Sequence, residues 1–282
     1  MSTMPRRLKF SGGLNPKMSK RESSQITSDL DTRIRTNQVF GDNDLDQWLV
    51  AKLAPKQDER ILDAGCGTGN HLIKLTNKTA VDNECVGFDL SEQSIVEARA
   101  KASAAGVKIK FLVANFSDLK TPAIPDGAFD IATSIYAIYY ADNARNALTA
   151  LARKLKATGR MGIMGPHGDN NKQWFEFLSQ FMQLPANIER ISARFMDEEI
   201  QPFAQERFEH VQILEFVNNI RIPTYADLKN YWVSNVYYKE QLDGRFEACA
   251  QQHFAKFQSF DFFKKGLLIL MSGRRDSNNY NQ

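Results

Sequence analysis

The sequence predicts an α/β protein built on a doubly wound, seven-stranded, mostly parallel sheet with helical lid insertions. Between residues 60 and 164, short apolar runs alternate with longer amphipathic segments. That alternation is typical of parallel βαβ units. After residue 164 it loosens, and longer helical stretches separate the last two apolar runs. Right-handed crossovers between consecutive parallel strands place helices on both faces of such a sheet.

The first five strands and their helices are predicted from apolar spacing and from the residues that begin or end each segment. A helical pattern begins near Ser28, and a second helix covers residues 44–53. Ser91 can cap the helix after the second strand, and Gly106 ends that helix. The turn Pro125–Gly127 leads into the fourth strand. These strands are predicted at residues 60–63, 85–88, 109–113, 129–135 and 160–164, with helices over 70–78, 91–105 and 144–156.

The rest of the chain is predicted to add two strands and several helices. The strands cover residues 211–216 and 267–271, and the helices cover 172–184, 197–203, 225–242 and 246–257. The segment from Tyr225 to Tyr238 is rich in aromatic residues at helical spacing. Such spacing is more typical of a core than of a binding surface, although a lid over a ligand is the alternative.

The domain organisation predicted from these elements is a single domain with an arm and a tail. Residues 1–43 form an N-terminal arm and helix that can close as a lid. Residues 44–275 form the domain, with helical insertions at 170–208 and 220–262, and residues 276–282 form a disordered tail. The basic arm is typical of a flexible tail, and an arm that orders over a ligand is the alternative.

Composition excludes several classes of protein. The 282 residues are 43% hydrophobic and 24% charged, which argues against a fibre or a disordered chain. A net charge of +3 is too small to indicate a nucleic-acid or membrane surface. No apolar run is long enough for a membrane helix. The cysteines Cys66, Cys85 and Cys249 are far apart and lack zinc-type spacing. We therefore expect a cytoplasmic protein with reduced thiols and no metal.

A glycine-rich loop follows the first strand. The segment Ile61–Gly69 carries glycines at positions 65, 67 and 69. Glycine permits positive φ angles and a close approach of a ligand to the backbone. The following helix presents its N-terminal N–H groups at the same place. A dinucleotide fingerprint would have its third glycine at position 70, which is Asn70 here.

Two acidic residues narrow the ligand class. Asp63 ends the first strand, where a carboxylate would repel a pyrophosphate but would suit an ammonium group. Asp89 ends the second strand, where an acid can accept hydrogen bonds from both hydroxyls of a ribose. The site is therefore expected to take a nucleoside with a cationic, amino-acid-like end and no phosphate.

At these residues the chain resembles the class I (Rossmann-like) S-adenosylmethionine-dependent methyltransferases. The matching segments are Asp63–Gly69, Gly87–Ser91 and Pro125–Asp130, within a region from Leu45 to Gly165. The resemblance implies S-adenosylmethionine as cofactor. It also implies methyl transfer to an O, N or C atom of a small metabolite or natural-product intermediate.

The resemblance also implies which residues contact the cofactor. Asp63, Gly65 and Gly67 line the methionine end, with Cys66 as a small residue in the same loop. At the other end, the implied contacts are Asp89 with the ribose, Leu90 with the adenine, Asn115 with the adenine amino group, Phe116 beside it and Ser134 where the fourth strand ends. Asn115 and Phe116 depart from the family's usual acidic and small residues at those positions.

The catalytic candidates lie where the fourth and fifth strands end. His167 follows the fifth strand and is a candidate general base, with a polar loop residue as the alternative. Tyr136 and Tyr140 follow the fourth strand and can contact the acceptor, or they can belong to the core, as can Tyr139. A base is needed only when the acceptor atom carries a proton that must leave early.

Sequence evidence also bears on partners. The run Ser134–Tyr139 lacks the Asn/Asp-Pro-Pro-Tyr motif of nucleic-acid amino methyltransferases, so a small-molecule acceptor is expected and a nucleic acid is not. No membrane partner is expected, and a homodimer stays open. Two rival hypotheses remain: a nicotinamide-dependent oxidoreductase, and a cofactor-binding partner subunit without catalysis.

Overall fold

The computed structural model describes residues 20–79, 84–117 and 119–275, with side chains described from residue 28 onwards. Most of the predicted basic arm and the whole predicted tail, residues 276–282, lie outside the described residues. Among the described residues, no helix is both long and apolar enough to cross a membrane. The same residues contain no cluster of three potential metal ligands. The three cysteines are free thiols.

A seven-stranded mixed sheet forms the centre of the protein. Its strands are β1 Ile61–Ala64, β2 Cys85–Asp89, β3 Ile109–Val113, β4 Phe129–Ile135, β5 Leu155–Pro166, β6 Phe208–Ile222 and β7 Phe260–Arg274. They lie in the order β3-β2-β1-β4-β5-β7-β6. The first five strands are parallel, and β7 is antiparallel to both β5 and β6. The predicted fold class is confirmed.

Nine α-helices in the described residues surround this sheet. They are α1 Lys20–Val39, α2 Leu45–Leu53, α3 Asn70–Thr76, α4 Glu92–Ala104, α5 Ala144–Lys154, α6 Lys172–Ser179, α7 Gln201–Arg207, α8 Tyr225–Val233 and α9 Asp243–Phe254. Buried side chains of α2, α3 and α4 share one core with one face of the sheet. Those of α5 and α7 share a second core with the opposite face. The sheet is therefore covered on both sides, as a doubly wound sheet requires.

The last two strands are much longer than the sequence predicts. Pairing between β6 and β7 runs from Phe208 opposite Arg274 to Ile222 opposite Phe260. The prediction used continuous apolar runs, whereas the outer halves of these strands alternate buried and exposed residues. Residues 220–222 and 260–262, predicted within a helical insertion, are therefore strand.

Several helix boundaries also differ from prediction. The predicted helix over 144–156 ends at Lys154, and β5 begins at Leu155 rather than residue 160. The predicted helix over 225–242 breaks after Val233, and α9 begins at Asp243. Two π-helical segments, Arg190–Arg194 and Met196–Ile200, precede α7 in place of a regular helix over 197–203.

A third hydrophobic cluster lies between the outer halves of β6 and β7 and the helices α6, α8 and α9. We call it the aromatic cluster; it includes Trp174, Phe177, Phe181, Tyr231, Trp232, Phe246, Phe260 and Phe262. The Trp232 and Phe246 rings stack, with centroids 5.4 Å apart and planes 9° apart. The aromatic spacing in the segment from Tyr225 to Tyr238 thus serves mainly a core, because Tyr231 and Trp232 are fully buried.

Candidate active site

The glycine loop bends sharply at the carboxyl end of β1. Gly65, Gly67 and Gly69 have φ angles of 74°, 53° and 78°, which side chains with a Cβ rarely adopt. A Cβ at Gly65 would overlap the Cβ of Ala137. The N–H of Gly65 donates to the Phe88 carbonyl oxygen at 2.8 Å, which ties the loop to β2. The loop backbone is therefore fixed, and the missing side chain at Gly65 lets Ala137 pack closely against it.

Asp89 fixes the loop from the end of β2. Its Oδ2 accepts a hydrogen bond from the Gly67 N–H at 2.9 Å, and its Oδ1 accepts one from the Ser91 N–H at 2.9 Å. Burial raises the pKa of Asp89, and these N–H donors oppose that rise. A carboxylate offers about four lone-pair sites. Lone pairs on both oxygens can therefore still accept hydrogen bonds from neighbouring hydroxyl groups, as a ribose presents.

Asp63 is a buried carboxyl at the end of β1, only 2% exposed. The Thr133 hydroxyl on the neighbouring strand donates to its Oδ1 at 2.8 Å. Burial raises the pKa of Asp63 to about 6, while Thr133 and the nearby His71 favour the charged form. A cation bound against this carboxyl would compensate its desolvation, because opposite charges attract strongly where water is excluded.

Behind Asp63 lies a second ionisable pair, His71 and Asp46, whose contact the sequence did not predict. His71, in the first turn of α3, contacts Asp46 of α2 with 2.5 Å between Nδ1 and Oδ1. Burial alone would lower the pKa of His71, but the hydrogen bond and charge of Asp46 outweigh it and the pKa is raised. The raised pKa of His71 places a group that favours the positive charge between Asp46 and Asp63. The contact of Asp46 with His71 gave no sequence signal, because the two residues lie on different helices.

The predicted adenine-side residues gather near the loop. Leu90 follows Asp89 and is 49% exposed, an unusual state for a leucine beside a buried strand. The Phe116 ring packs edge-on against Phe88, with centroids 5.6 Å apart. Its Cζ lies 3.4 Å from the position that a Cβ of Gly65 would occupy. Asn115 Oδ1 accepts a hydrogen bond from the Ser117 N–H at 3.3 Å. The side-chain NH₂ group of Asn115 can still donate hydrogen bonds.

Two other predicted cofactor residues are buried in the protein. The Ser134 hydroxyl is fully buried and donates to the Ala64 carbonyl oxygen at 2.8 Å, which joins β4 to β1. Burial raises the pKa of the Cys66 thiol well above its usual range, so this cysteine is a neutral thiol. Both side chains support the loop from inside the sheet, and any cofactor contact from them stays a prediction.

Helix α1 covers the glycine loop. Leu30 Cδ2 lies 3.9 Å from the position that a Cβ of Gly67 would occupy. Asp31 accepts a hydrogen bond from the Thr68 hydroxyl at 3.2 Å and pairs with Lys101 of α4 at 3.0 Å. Helix α1 also packs against α8. It therefore bridges the site from α4 on one side to α8 on the other.

The tyrosines after β4 belong to a turn that packs against the loop, where Ala137 faces Gly65. Tyr136 has a φ of 54°, a strained angle for a residue with a Cβ. Its N–H donates to the Met164 carbonyl oxygen at 2.8 Å, and its hydroxyl lies against Gly266. The Tyr139 and Tyr140 rings are 4.6 Å apart, and Tyr140 is 47% exposed. Strained backbone is typical of functional sites, where the surrounding structure holds it in place.

His167 follows β5 and pairs with a residue that sequence reasoning did not identify. Its Nε2 lies 3.0 Å from Oδ2 of Asp197, in the second π-helical segment. Its Nδ1 is buried and has no hydrogen-bond partner among the described residues. A carboxylate can only accept a hydrogen bond, so Nε2 carries the proton and Nδ1 offers a lone pair.

This strand order, the glycine loop after β1 and the acid after β2 are the features by which the chain resembles the class I (Rossmann-like) methyltransferases. Residues 61–159 match the family model of a methyltransferase domain. The resemblance predicted from the sequence is confirmed by this match. The predicted residues Asp63, Gly65, Gly67 and Asp89 lie together around the same loop.

Curated relatives share the domain over part of their length. The O-methyltransferase rstn1 of Aspergillus nomiae is 31% identical over 142 residues, which cover 50% of this chain and 61% of that protein. Aklanonic acid methyltransferase DauC of a Streptomyces species is 32% identical over 119 residues, covering 42% of this chain and 53% of DauC. The chain thus spans less than two thirds of the length of both relatives.

Solved structures share the fold over more of the chain. The structure of YcgJ from Bacillus subtilis has a TM-score of 0.57 at 20% identity, covering 82% of this chain and 98% of that one. The cyclase SpnF has a TM-score of 0.52 at 16% identity, covering 89% and 94%. At these identities the likeness shows the fold.

Proposed function

We propose that this protein transfers a methyl group from S-adenosylmethionine to a hydroxyl oxygen of a small metabolite or natural-product intermediate. The family match supports methyl transfer in general. Oxygen is favoured over nitrogen or carbon because rstn1 and another fungal relative, resE of Aspergillus sclerotiorum, are O-methyltransferases by name.

The observation that carries the proposal is the arrangement of Asp89 on the glycine loop. Its two oxygens already hold the Gly67 and Ser91 N–H groups, so the carboxylate is oriented before any ligand binds. The remaining lone pairs fit the two hydroxyls of a ribose. The residues present therefore fit a nucleoside cofactor.

The cationic end of the cofactor fits the other acid. Asp63 is buried and lacks a positively charged hydrogen-bond partner among the described residues, so an ammonium group would stabilise its charged form. When bound, S-adenosylmethionine supplies an electrophilic methyl group on a sulfonium. The loop backbone and the two acids hold and orient the cofactor, and orientation alone can lower the barrier by about 7–11 kcal/mol at best.

His167 is proposed as the general base, with Asp197 as its positioning residue. Asp197 holds the proton on Nε2. The Nδ1 lone pair, which is buried and has no hydrogen-bond partner among the described residues, would accept the acceptor's hydroxyl proton once the bound acceptor lies against it. Tyr136 and Tyr140 are proposed to contact the acceptor beside it. A hydroxyl acceptor needs such a base because an alkoxide or phenolate is a far better nucleophile than the neutral group.

Calorimetric titration with S-adenosylmethionine and S-adenosylhomocysteine tests the proposal. We expect micromolar binding of both, and a loss of at least tenfold in affinity for Asp89→Ala, because each charged hydrogen bond contributes about 1.5–3 kcal/mol. Glu92→Ala is the matched control, since Glu92 is an exposed acid three residues further on. Unchanged binding in Asp89→Ala would count against the proposal.

Two controls separate the rival functions. Binding of NADH or NADPH in place of the adenosyl compounds would favour a nicotinamide-dependent oxidoreductase. Binding of S-adenosylmethionine without turnover on any hydroxylated acceptor would favour a partner subunit without catalysis. The carboxyl at Asp63 argues against a pyrophosphate in the loop, because two negative charges would repel there.

A further inference from the structure

Helix α1 places a cation, Arg33, between the site and α8. Leu30 lies above Gly67, and Asp31 points towards α4, where it pairs with Lys101. Arg33 lies on the other side of the helix, and its Nη1 donates a hydrogen bond to the carbonyl oxygen of Ser234, just after α8. Arg33 therefore lies on the face of α1 that meets α8 rather than above the loop.

Three tyrosines lie near this guanidinium. The hydroxyl groups of Tyr231, Tyr140 and Tyr139 are near enough to influence the pKa of Arg33, which burial lowers. Tyr139 and Tyr140 belong to the turn after β4, and Tyr231 belongs to α8. The Tyr231 hydroxyl is buried and has no hydrogen-bond partner among the described residues. We call Arg33, Tyr139, Tyr140, Tyr231 and Ser234 the Arg33 subsite.

The donors of Arg33 exceed the acceptors that the described residues supply to it. A guanidinium has five N–H donors. Among the described residues, Arg33 donates one hydrogen bond, to Ser234, and forms no ion pair with a carboxylate. Asp29, one turn earlier on α1, favours the charged form of Arg33 only through space. A partly buried cation is costly unless it is paired.

We propose that the Arg33 subsite binds a carboxylate on an aromatic methyl acceptor. Arg33 can donate two parallel hydrogen bonds to a carboxylate, the geometry for which a guanidinium is suited. The buried Tyr231 hydroxyl can donate a third, and the neighbouring Tyr139 and Tyr140 rings favour an aromatic acceptor. The inference rests on the proposed methyl transfer, since it names the class of acceptor for that site.

Calorimetry with matched acids and amides tests the inference. The full chain, saturated with S-adenosylhomocysteine, is titrated with salicylate and gallate and with their neutral amides, salicylamide and gallamide. We expect the acids to bind about tenfold to a hundredfold more tightly than the amides. Arg33→Gln should remove that preference, and Arg33→Lys should retain part of it. Arg35→Gln, an exposed arginine on the same helix, should retain all of it.

Three outcomes would overturn the inference. The first is equal binding of acids and amides, or no binding of either acid, by the unaltered protein. The second is an acid preference that survives Arg33→Gln. The third is weaker binding of S-adenosylhomocysteine to Arg33→Gln, with binding of methylthioadenosine unchanged. That result would assign Arg33 to the methionine carboxylate, because methylthioadenosine lacks this group.

Failure of the proposed function has a different signature. If the unaltered protein binds no adenosyl compound but still prefers acids over amides through Arg33, methyl transfer is wrong and the anion subsite stands. If it binds the adenosyl compounds but shows no acid preference, the proposed function stands and the acceptor class is wrong.

Discussion

The charge of Asp63 depends on its burial in the fold, and cofactor binding is expected to depend on that charge. Its pKa is raised to about 6 by burial, and an ammonium group bound beside it would lower that pKa again. The ligand-bound protein therefore holds the proton less tightly than the free protein. Affinity for S-adenosylhomocysteine should be complete above pH 6 and should fall by up to about tenfold per pH unit below it.

Calorimetry between pH 5 and pH 7.5 measures this dependence. Asp63→Asn should bind more weakly at pH 7 and should lose most of the dependence, because the amide does not titrate. Glu92→Gln serves as the control, since this exposed acid lies outside the proposed contacts. A pH dependence that persists unchanged in Asp63→Asn would assign it to another group, such as His71.

The His167–Asp197 pair leads to a prediction on turnover. His167→Ala should lower kcat by at least a hundredfold and leave the affinity for S-adenosylhomocysteine unchanged, since general-base catalysis contributes about 10²–10⁴-fold. Asp197→Asn should also lower kcat, because the amide can hold the wrong tautomer of His167. The loss should be smaller than in His167→Ala, because the imidazole is still present. Steady-state kinetics on any accepted substrate measures both effects.

A control lies in the same loop as His167. Asp169→Asn changes a half-exposed acid that pairs with Lys265 at 3.6 Å, and it should keep normal turnover. If His167→Ala turned over normally, or if it lowered cofactor affinity and turnover equally, the assignment of a base would be wrong.

Helix α1 is the element that closes over the glycine loop. Asp31 of this helix forms an ion pair with Lys101 of α4, whose Nζ lies 3.0 Å from both Asp31 oxygens. The same Nζ donates a hydrogen bond to the Thr68 hydroxyl in the glycine loop. Lys101→Met should remove this ion pair and weaken the attachment of α1 to α4. A partly exposed ion pair contributes about 0.2–1 kcal/mol, so dissociation of S-adenosylhomocysteine should become roughly twofold to fivefold faster.

Hydrogen exchange and stopped-flow dissociation measure the opening of α1. Amides of α1 should exchange faster in Lys101→Met, while those of β1 and β4 should not change. Lys110→Met, at an exposed lysine on β3, is the control. Equal exchange and equal dissociation rates in both variants would show that Lys101 does not hold the helix.

The β6 and β7 strands show how far element prediction from the sequence reaches. Each was located by its apolar centre, and each was predicted too short. In the outer halves, Ile220, Ile222, Phe260 and Phe262 are buried while the residues between them are exposed or half-buried. This period of two is a strand signal that a search for continuous apolar runs misses.

At the scale of the whole molecule, these long strands join the aromatic cluster to the main sheet. Both strands pass without a break from the central cores into the cluster, so the cluster cannot lose its strands without disturbing the sheet. We therefore expect one cooperative unfolding transition despite the length of the chain.

Two spectroscopic probes test this prediction. Trp174 and Trp232 lie in the aromatic cluster, so fluorescence of Trp48→Phe reports that cluster alone. Its midpoint should coincide with that of far-ultraviolet circular dichroism. Phe246→Ala should lower the free energy of unfolding by about 3–5 kcal/mol and should shift both midpoints together. Separate midpoints would show that the cluster unfolds on its own.

The sequence by itself determined the sheet, the glycine loop and the two acids at the ends of β1 and β2. These features are local in the sequence. Apolar periodicity marks each strand, and the glycines and acids stand next to the strand ends in the sequence. The tertiary structure decided the partners that cross between elements. Each of these contacts joins residues at least 25 positions apart in the sequence. They are the contacts of Thr133 with Asp63, of Asp46 with His71, of Asp197 with His167, and of Arg33 with its neighbouring tyrosines. Such pairs depend on how helices pack on the sheet, and hydrophobic spacing carries no information about which polar side chains then meet.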